Sequence, residues 1–184
     1  DLIGYERGGV MLCGYFGAGN AGDDATLEAV LASLPRLPKG VLPTVPASRK
    51  GALPEGVRRI GRYNIFSLAK ELAKTRLFIL CGGTLLQNST SNRSLGYYYL
   101  LSKLASKQGA RVMIYAGGVG PVIGDEAAYE TVSAVENCDA VTLRDPGSLE
   151  LLEEMECETD GIAITADAAI VTEPQPLPEA ILKR

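Results

Sequence analysis

Along this chain, uninterrupted apolar runs alternate with stretches of helical periodicity. The runs are Val10-Met11-Leu12-Cys13, Leu77-Phe78-Ile79-Leu80-Cys81, Arg111-Val112-Met113-Ile114-Tyr115, Ala140-Val141-Thr142-Leu143 and Gly161-Ile162-Ala163-Ile164-Thr165. Each is short enough for a strand and apolar on both faces, as required when helices cover both sides of a sheet. Between them, helices are predicted over 23–34, 65–74, 94–106, 126–136 and 146–155. Leu27, Val30, Leu31 and Leu34 share a face of the first, Tyr97, Leu100, Leu101 and Leu104 recur at helical spacing in the third, and Asp145 with Pro146 opens the last. Strand–helix alternation of this kind specifies βαβ units. The fold class read from it is α/β: a doubly wound, Rossmann-like parallel sheet of five to seven strands.

The stretch 35–61 is rich in Pro, Gly, Lys and Arg and suggests only a weak strand near Val41 and a short one over 57–60. Pro174, Pro176 and Pro178 mark the tail as a linker. The domain expected is therefore 1–172, with 173–184 leading towards a further domain, and the chain from Asp1 to Arg184 reads as a fragment.

Composition narrows the chemistry. The 184 residues contain no histidine, so an imidazole base or an imidazole-built zinc or iron site within this chain is excluded. Cys13, Cys81, Cys138 and Cys157 form no CxxC pair and read as buried small hydrophobes in a reducing compartment. No metal or cofactor is expected. A net charge of −4 argues against nucleic acid as a partner. The apolar runs are too short for a transmembrane segment, and no secretory leader is visible. The expected location is the cytoplasm, at most peripheral to the inner face of the membrane.

In an open parallel sheet, ligands bind beyond the carboxyl ends of the strands. Those ends carry unusual loops here. The first runs from Gly14 through Tyr15, Gly17, Asn20 and Gly22 to Asp23 and Asp24. The second runs from Gly82 and Gly83 through Thr84, Gln87, Asn88, Ser89, Thr90, Ser91 and Asn92 to Arg93, and the third from Ala116 to Pro121 through Gly118. Glycines at 17, 83 and 118 let backbone approach a ligand. The amides and hydroxyls of the second loop, Gln87, Asn88, Ser89, Thr90, Ser91 and Asn92, suit neutral polyols, and Arg93 suits a carboxylate or phosphate. With Asn20 and Asp23 of the first loop, Gln87, Asn88 and Arg93 are expected to form one crevice. Tyr97, Tyr98 and Tyr99 divide between core packing and sugar stacking, and Arg144 with Asp145 reads as a local pair.

The first loop also contains Gly17-x-Gly19-x-x-Gly22, the spacing of a dinucleotide fingerprint. Two features oppose that reading. The acidic residue wanted about 20 positions on is absent from 36–46, and Asp23 with Asp24 occupies the helix start where a diphosphate would sit. Asp23 is then either a helix cap or a carboxylate aimed at sugar hydroxyls.

Taken jointly, 14–24, 81–88 running into 90–98, 115–121, 142–145 and 165–167 resemble the polysaccharide pyruvyl transferase family of the CsaB type. The resemblance implies the N-terminal half of a GT-B-type two-domain transferase. It implies transfer of an enolpyruvyl-derived group from phosphoenolpyruvate to a sugar of a cell-wall or lipid-linked polysaccharide, giving a pyruvate ketal. The acceptor would face this half; the loop residues read above then make Asp23 the catalytic carboxylate, with Asn20, Asp24, Gln87, Asn88, Ser91 and Arg93 around the substrate. The missing C-terminal domain would bring a histidine and cations to the donor, leaving this half inactive alone. Two positions depart from the family's usual pattern: Cys81 stands where Ser or Gly is common, and Gly118 where Gln is common. Two other functions are compatible with the same architecture: the N-terminal domain of a GT-B sugar-nucleotide glycosyltransferase, and a dinucleotide-binding domain.

Overall fold

The computed structural model describes residues 8–34, 41–49, 51–89 and 91–172. Within them seven strands form one wholly parallel sheet: β1 (Gly9–Cys13), β2 (Thr44–Ala47), β3 (Arg58–Gly61), β4 (Thr75–Cys81), β5 (Arg111–Gly117), β6 (Ala140–Leu143) and β7 (Ala163–Ile164). The helices are α1 (Ala21–Ser33), α2 (Ile65–Leu72), α3 (Asn92–Lys107), α4 (Asp125–Glu136) and α5 (Pro146–Glu154). The strand order is β3-β2-β1-β4-β5-β6-β7. The chain thus winds outward from β1 to β3, crosses back, and winds outward again from β4. The expected Rossmann-like α/β arrangement is what the chain adopts, and every carboxyl end lies along one edge.

The residue pattern explains the layers. In β1 and β4, Met11, Cys13, Phe78 and Leu80 face one core, with Leu72, Leu95, Tyr98, Ala134 and Leu152 from helices α2–α5. Their alternate neighbours Val10, Leu12, Ile79 and Cys81 face a second core, with Leu27 and Val30 of α1, Phe16 and Ala168. Burying a side chain of this size on folding stabilises by roughly 1.5–3 kcal/mol, so neither face can be left open.

Several boundaries differ from the sequence reading for local reasons. Helix α1 starts at Ala21 because Asn20, not Asp23, is its cap: Asn20 Oδ1 accepts the Gly22 N–H at 3.1 Å. The second strand is at Thr44–Ala47, wholly buried, rather than near Val41. Leu100 of α3 is 62% exposed, while Leu95, Tyr98, Tyr99 and Leu101 carry its packing. The last strand shrinks to Ala163–Ile164, because it sits at the sheet edge and pairs only with Thr142 and Leu143. The tail 173–184 and Thr90 lie outside the described residues.

Candidate functional site

The topology places a crevice where the chain changes direction. β1 and β4 are neighbours, with Cys13 opposite Leu80, so the loops that follow them run side by side. No side chain fits at Gly14, because a Cβ there would collide with the Cys81 carbonyl and the Phe16 ring. The close approach of the two strand ends thus requires glycine.

A cleft of about 790 Å³ opens at this point. The β1 loop contributes Tyr15 and Asn20, and the first turn of α1 contributes Asp23. The β4 loop contributes Gly83, Thr84, Leu85 and Gln87. The start of α3 contributes Ser91, Arg93, Ser94, Tyr97 and Tyr98, and the end of β3 contributes Arg62 and Tyr63. The loops after β1 and β4 therefore do bring Asn20, Asp23, Gly83, Gln87, Ser91 and Arg93 to one place.

Asp23 is 8% exposed, an unusual burial for a carboxylate in a first helical turn. Burial raises its pKa above the usual carboxylate value. The Gly83 backbone N–H opposes the rise, the Asp24 charge adds to it, and Arg62 opposes it. The result is a carboxylate biased towards taking up a proton, facing a cleft lined with amides and hydroxyls.

The other residues singled out by sequence sit elsewhere. Asp24 is half-buried beside the cleft, not in its lining. Gly17 turns towards the β2 side, and its carbonyl accepts the Gly51 N–H at 2.9 Å. Asn88 is a clamp between loops: Oδ1 accepts the Ile123 N–H at 2.8 Å, and Nδ2 donates to Ile123 O at 2.9 Å and to Asn92 Oδ1 at 2.8 Å. Ser91 lines the cleft while also capping α3 through the Arg93 N–H.

Gly118 is covered by Arg144. A Cβ at 118 would stand 2.8 Å from Thr84 Oγ1 and 3.0 Å from Arg144 Nε. Arg144 reaches well beyond its local partner, donating to Asp167 Oδ2 at 2.8 Å and Thr84 Oγ1 at 2.9 Å, with Asp145 at 3.5 Å. Reading Arg144 as a local pair understated it. Its guanidinium holds three strand-end loops together and occupies the space that a longer residue at 118 would use. Asp145 does cap α5, accepting the Ser148 N–H at 2.8 Å.

Sequence reasoning missed Arg62. It is 7% exposed, donates from Nη2 to Gly14 O at 3.2 Å and to the Tyr98 hydroxyl, and stands 4.6 Å from the centroid of the Tyr15 ring. It immediately follows β3, so a firm assignment of that strand would have placed it at the ligand-binding edge. Tyr98 and Tyr99 proved to be buried and Tyr97 half-buried, with Tyr97 and Tyr98 also reaching the cleft. Among the described residues, no group of three or more His, Cys, Asp or Glu side chains could hold a metal. No helix there is long and apolar enough to cross a membrane.

Most of this edge, though not Tyr15 and the start of the β1 loop, lies inside the segment that a family model recognises. The model for polysaccharide pyruvyl transferase matches residues 20–184. The chain belongs to the polysaccharide pyruvyl transferase family. No curated protein and no solved structure matches it. The family match begins at Asn20 and includes Asp23, Arg62, the β4 loop and the start of α3, all of which line the cleft.

Proposed function

We propose that this chain forms the acceptor side of an enzyme that transfers the pyruvyl unit of phosphoenolpyruvate onto a saccharide as a pyruvate ketal. The observation that carries the reading is the buried Asp23 carboxylate, held against the Gly83 N–H inside a cleft that also presents Asn20, Gln87 and Ser91. Family membership supports the reaction class.

The chemistry balances simply. One sugar hydroxyl oxygen bonds to C2 of the donor, and C3 gains a proton and becomes a methyl group. A second hydroxyl oxygen then bonds to C2 as the C2–O bond to phosphate breaks. The two hydroxyl protons leave, one balancing the methyl group and the other the departing phosphate. Asp23 accepts a hydroxyl proton in this scheme, and its raised pKa suits a base that must also release that proton. The amides of Asn20 and Gln87 orient the remaining hydroxyls. A C-terminal domain beyond residue 172 completes the site from the donor side, and the chain alone turns over no substrate. The acceptor is part of a cell-wall or lipid-linked polysaccharide, reached from the cytoplasmic face of the membrane.

Dinucleotide binding is opposed by the first turn of α1, where a diphosphate would meet both Asp23 and Asp24. The test is product identity. The complete enzyme, given phosphoenolpyruvate and a lipid-linked saccharide, should release inorganic phosphate in equal amount to ketal formed, detected by mass spectrometry. Glycosyl transfer from a sugar nucleotide, with no ketal, would overturn the reading.

A further inference from the structure

Arg62 is a buried cation that makes no ion pair among the described residues. Among the described residues, the ion pairs are Arg58–Glu71, Arg111–Asp139, Arg144–Asp145 and Arg144–Asp167, and Arg62 is in none of them. Its engaged nitrogen, Nη2, donates to two neutral oxygens, those of Gly14 and Tyr98. Burying a guanidinium against only neutral acceptors and ring faces is costly, because Coulomb attraction does not repay its lost hydration. Asp23 lines the same cleft, and Arg62 acts to lower its pKa, yet the two do not pair.

The side chain is also held in place. Rings of Tyr15, Tyr97 and Tyr98 stand 4.6, 5.4 and 5.7 Å from its guanidinium carbon. The Tyr97 hydroxyl donates to the Arg62 carbonyl at 3.0 Å, fixing the backbone from which the side chain departs. A guanidinium prepositioned by aromatic faces presents its remaining N–H groups with little further loss of rotamer freedom.

We infer that Arg62 is an anion-binding residue: it receives a substrate oxyanion, carboxylate or phosphate, within reach of the Asp23 carboxylate. The chain thus carries an anion subsite of its own, in addition to any cations on the donor side. Naming the anion's source as donor or acceptor rests on the transferase reading, whereas the binding itself does not.

The test is calorimetric titration of the 184-residue chain with phosphoenolpyruvate, pyruvate, inorganic phosphate and a glycosyl diphosphate. Saturable binding of at least one anion is expected, weakened about tenfold or more in Arg62→Gln, the loss typical of one charged hydrogen-bonding partner. Tighter binding of phosphoenolpyruvate than of glycosyl diphosphate assigns the anion to the donor, and the reverse order assigns it to the acceptor. Asp23→Asn should tighten anion binding about threefold, because it removes a repelling charge from the same cleft. Binding that is absent for all four anions, or unchanged in folded Arg62→Gln, overturns the proposal. Should Arg62→Gln fail to fold, unchanged or weaker binding in Asp23→Asn overturns it instead. Binding without ketal formation by the complete enzyme would leave the subsite standing and remove the transferase chemistry.

Discussion

Arg62 and Gly14 lie at the carboxyl ends of β3 and β1, and the guanidinium of the first donates to the carbonyl of the second at 3.2 Å. The contact passes over the end of β2, the strand between them. It ties the outer half of the sheet to the point where the chain reverses direction, and it places a cation at the floor of the cleft. A local irregularity of sequence at 35–61 therefore ends in one of the most structured parts of the site.

The Arg62 contact separates charge from packing. In Arg62→Met the apolar stem and most of the volume are kept, while the desolvated charge and its two hydrogen bonds are removed. These effects oppose each other, so stability should change by less than about 1.5 kcal/mol. A denaturant midpoint measured at neutral pH checks this. A loss of several kcal/mol would show that Arg62 is chiefly a structural tie.

Asp23 has the opposite pH signature to a salt-bridged carboxylate. Its folded-state pKa is raised, chiefly by burial. Its stabilising contribution is therefore fully present below the unfolded value and is lost as pH rises through the folded value. At neutral pH the ionised group costs stability, so Asp23→Asn should equal or exceed the parent in melting temperature at pH 7 and lose that advantage near pH 4. Thermal melts across this range give the answer. A melting temperature clearly lowered at pH 7 would mean that the carboxylate is structural.

Asn88 joins the loops after β4 and β5 through its bonds with Ile123 and Asn92. Asn88→Ala should cost about 1 kcal/mol of stability, because the bonds lost are partly exposed and water replaces them in part. Urea unfolding would measure it. Acceptor affinity should change little, since Asn88 does not line the cleft.

Gly118→Gln tests what Arg144 does. The added side chain has to displace Arg144 from Thr84, because its Cβ alone would stand 2.8 Å from the Thr84 hydroxyl. The expected cost is about 1–2 kcal/mol, from strain and the lost hydrogen bond. A neutral effect in urea unfolding would mean that the loop yields more readily than the packing implies.

The thiols should be silent in the folded state. Burial pushes Cys13 up to about 12, with Arg62 opposing, Cys138 up to about 12 and Cys157 up to about 11, and raises Cys81 further still. Since the thiolate is the reactive form, alkylation at pH 8 should be slow for all four in native protein and fast in urea. Rapid labelling of any one without denaturant would contradict this.

What was legible in the sequence depended on local pattern. The run 77–81 could only be a buried central strand, and β4 is indeed flanked by β1 and β5. Asp145 and Pro146 announced α5 correctly. β2 was harder to read because Pro46 breaks its row of donors and the strand is only four residues long. Asp23 was read as a cap or a site residue. It is not the cap, because Asn20 three positions earlier already supplies that oxygen. Arg62 was only half readable: the short strand over 57–60 points it to the ligand-binding edge, but its partners Tyr15 and Tyr98 are brought to it only by the fold.

The central claim is that Asp23 takes the proton from an acceptor hydroxyl in a pyruvyl transfer reaction. The most direct measurement is phosphate release and ketal formation by the complete enzyme and its Asp23→Asn variant, from phosphoenolpyruvate and a lipid-linked saccharide, with both proteins' melting temperatures recorded at pH 7. The account predicts a fall in turnover of about a hundredfold or more, the usual share of a general base, with the melting temperature held or raised. Turnover kept in Asp23→Asn, with or without a lowered melting temperature, would contradict it.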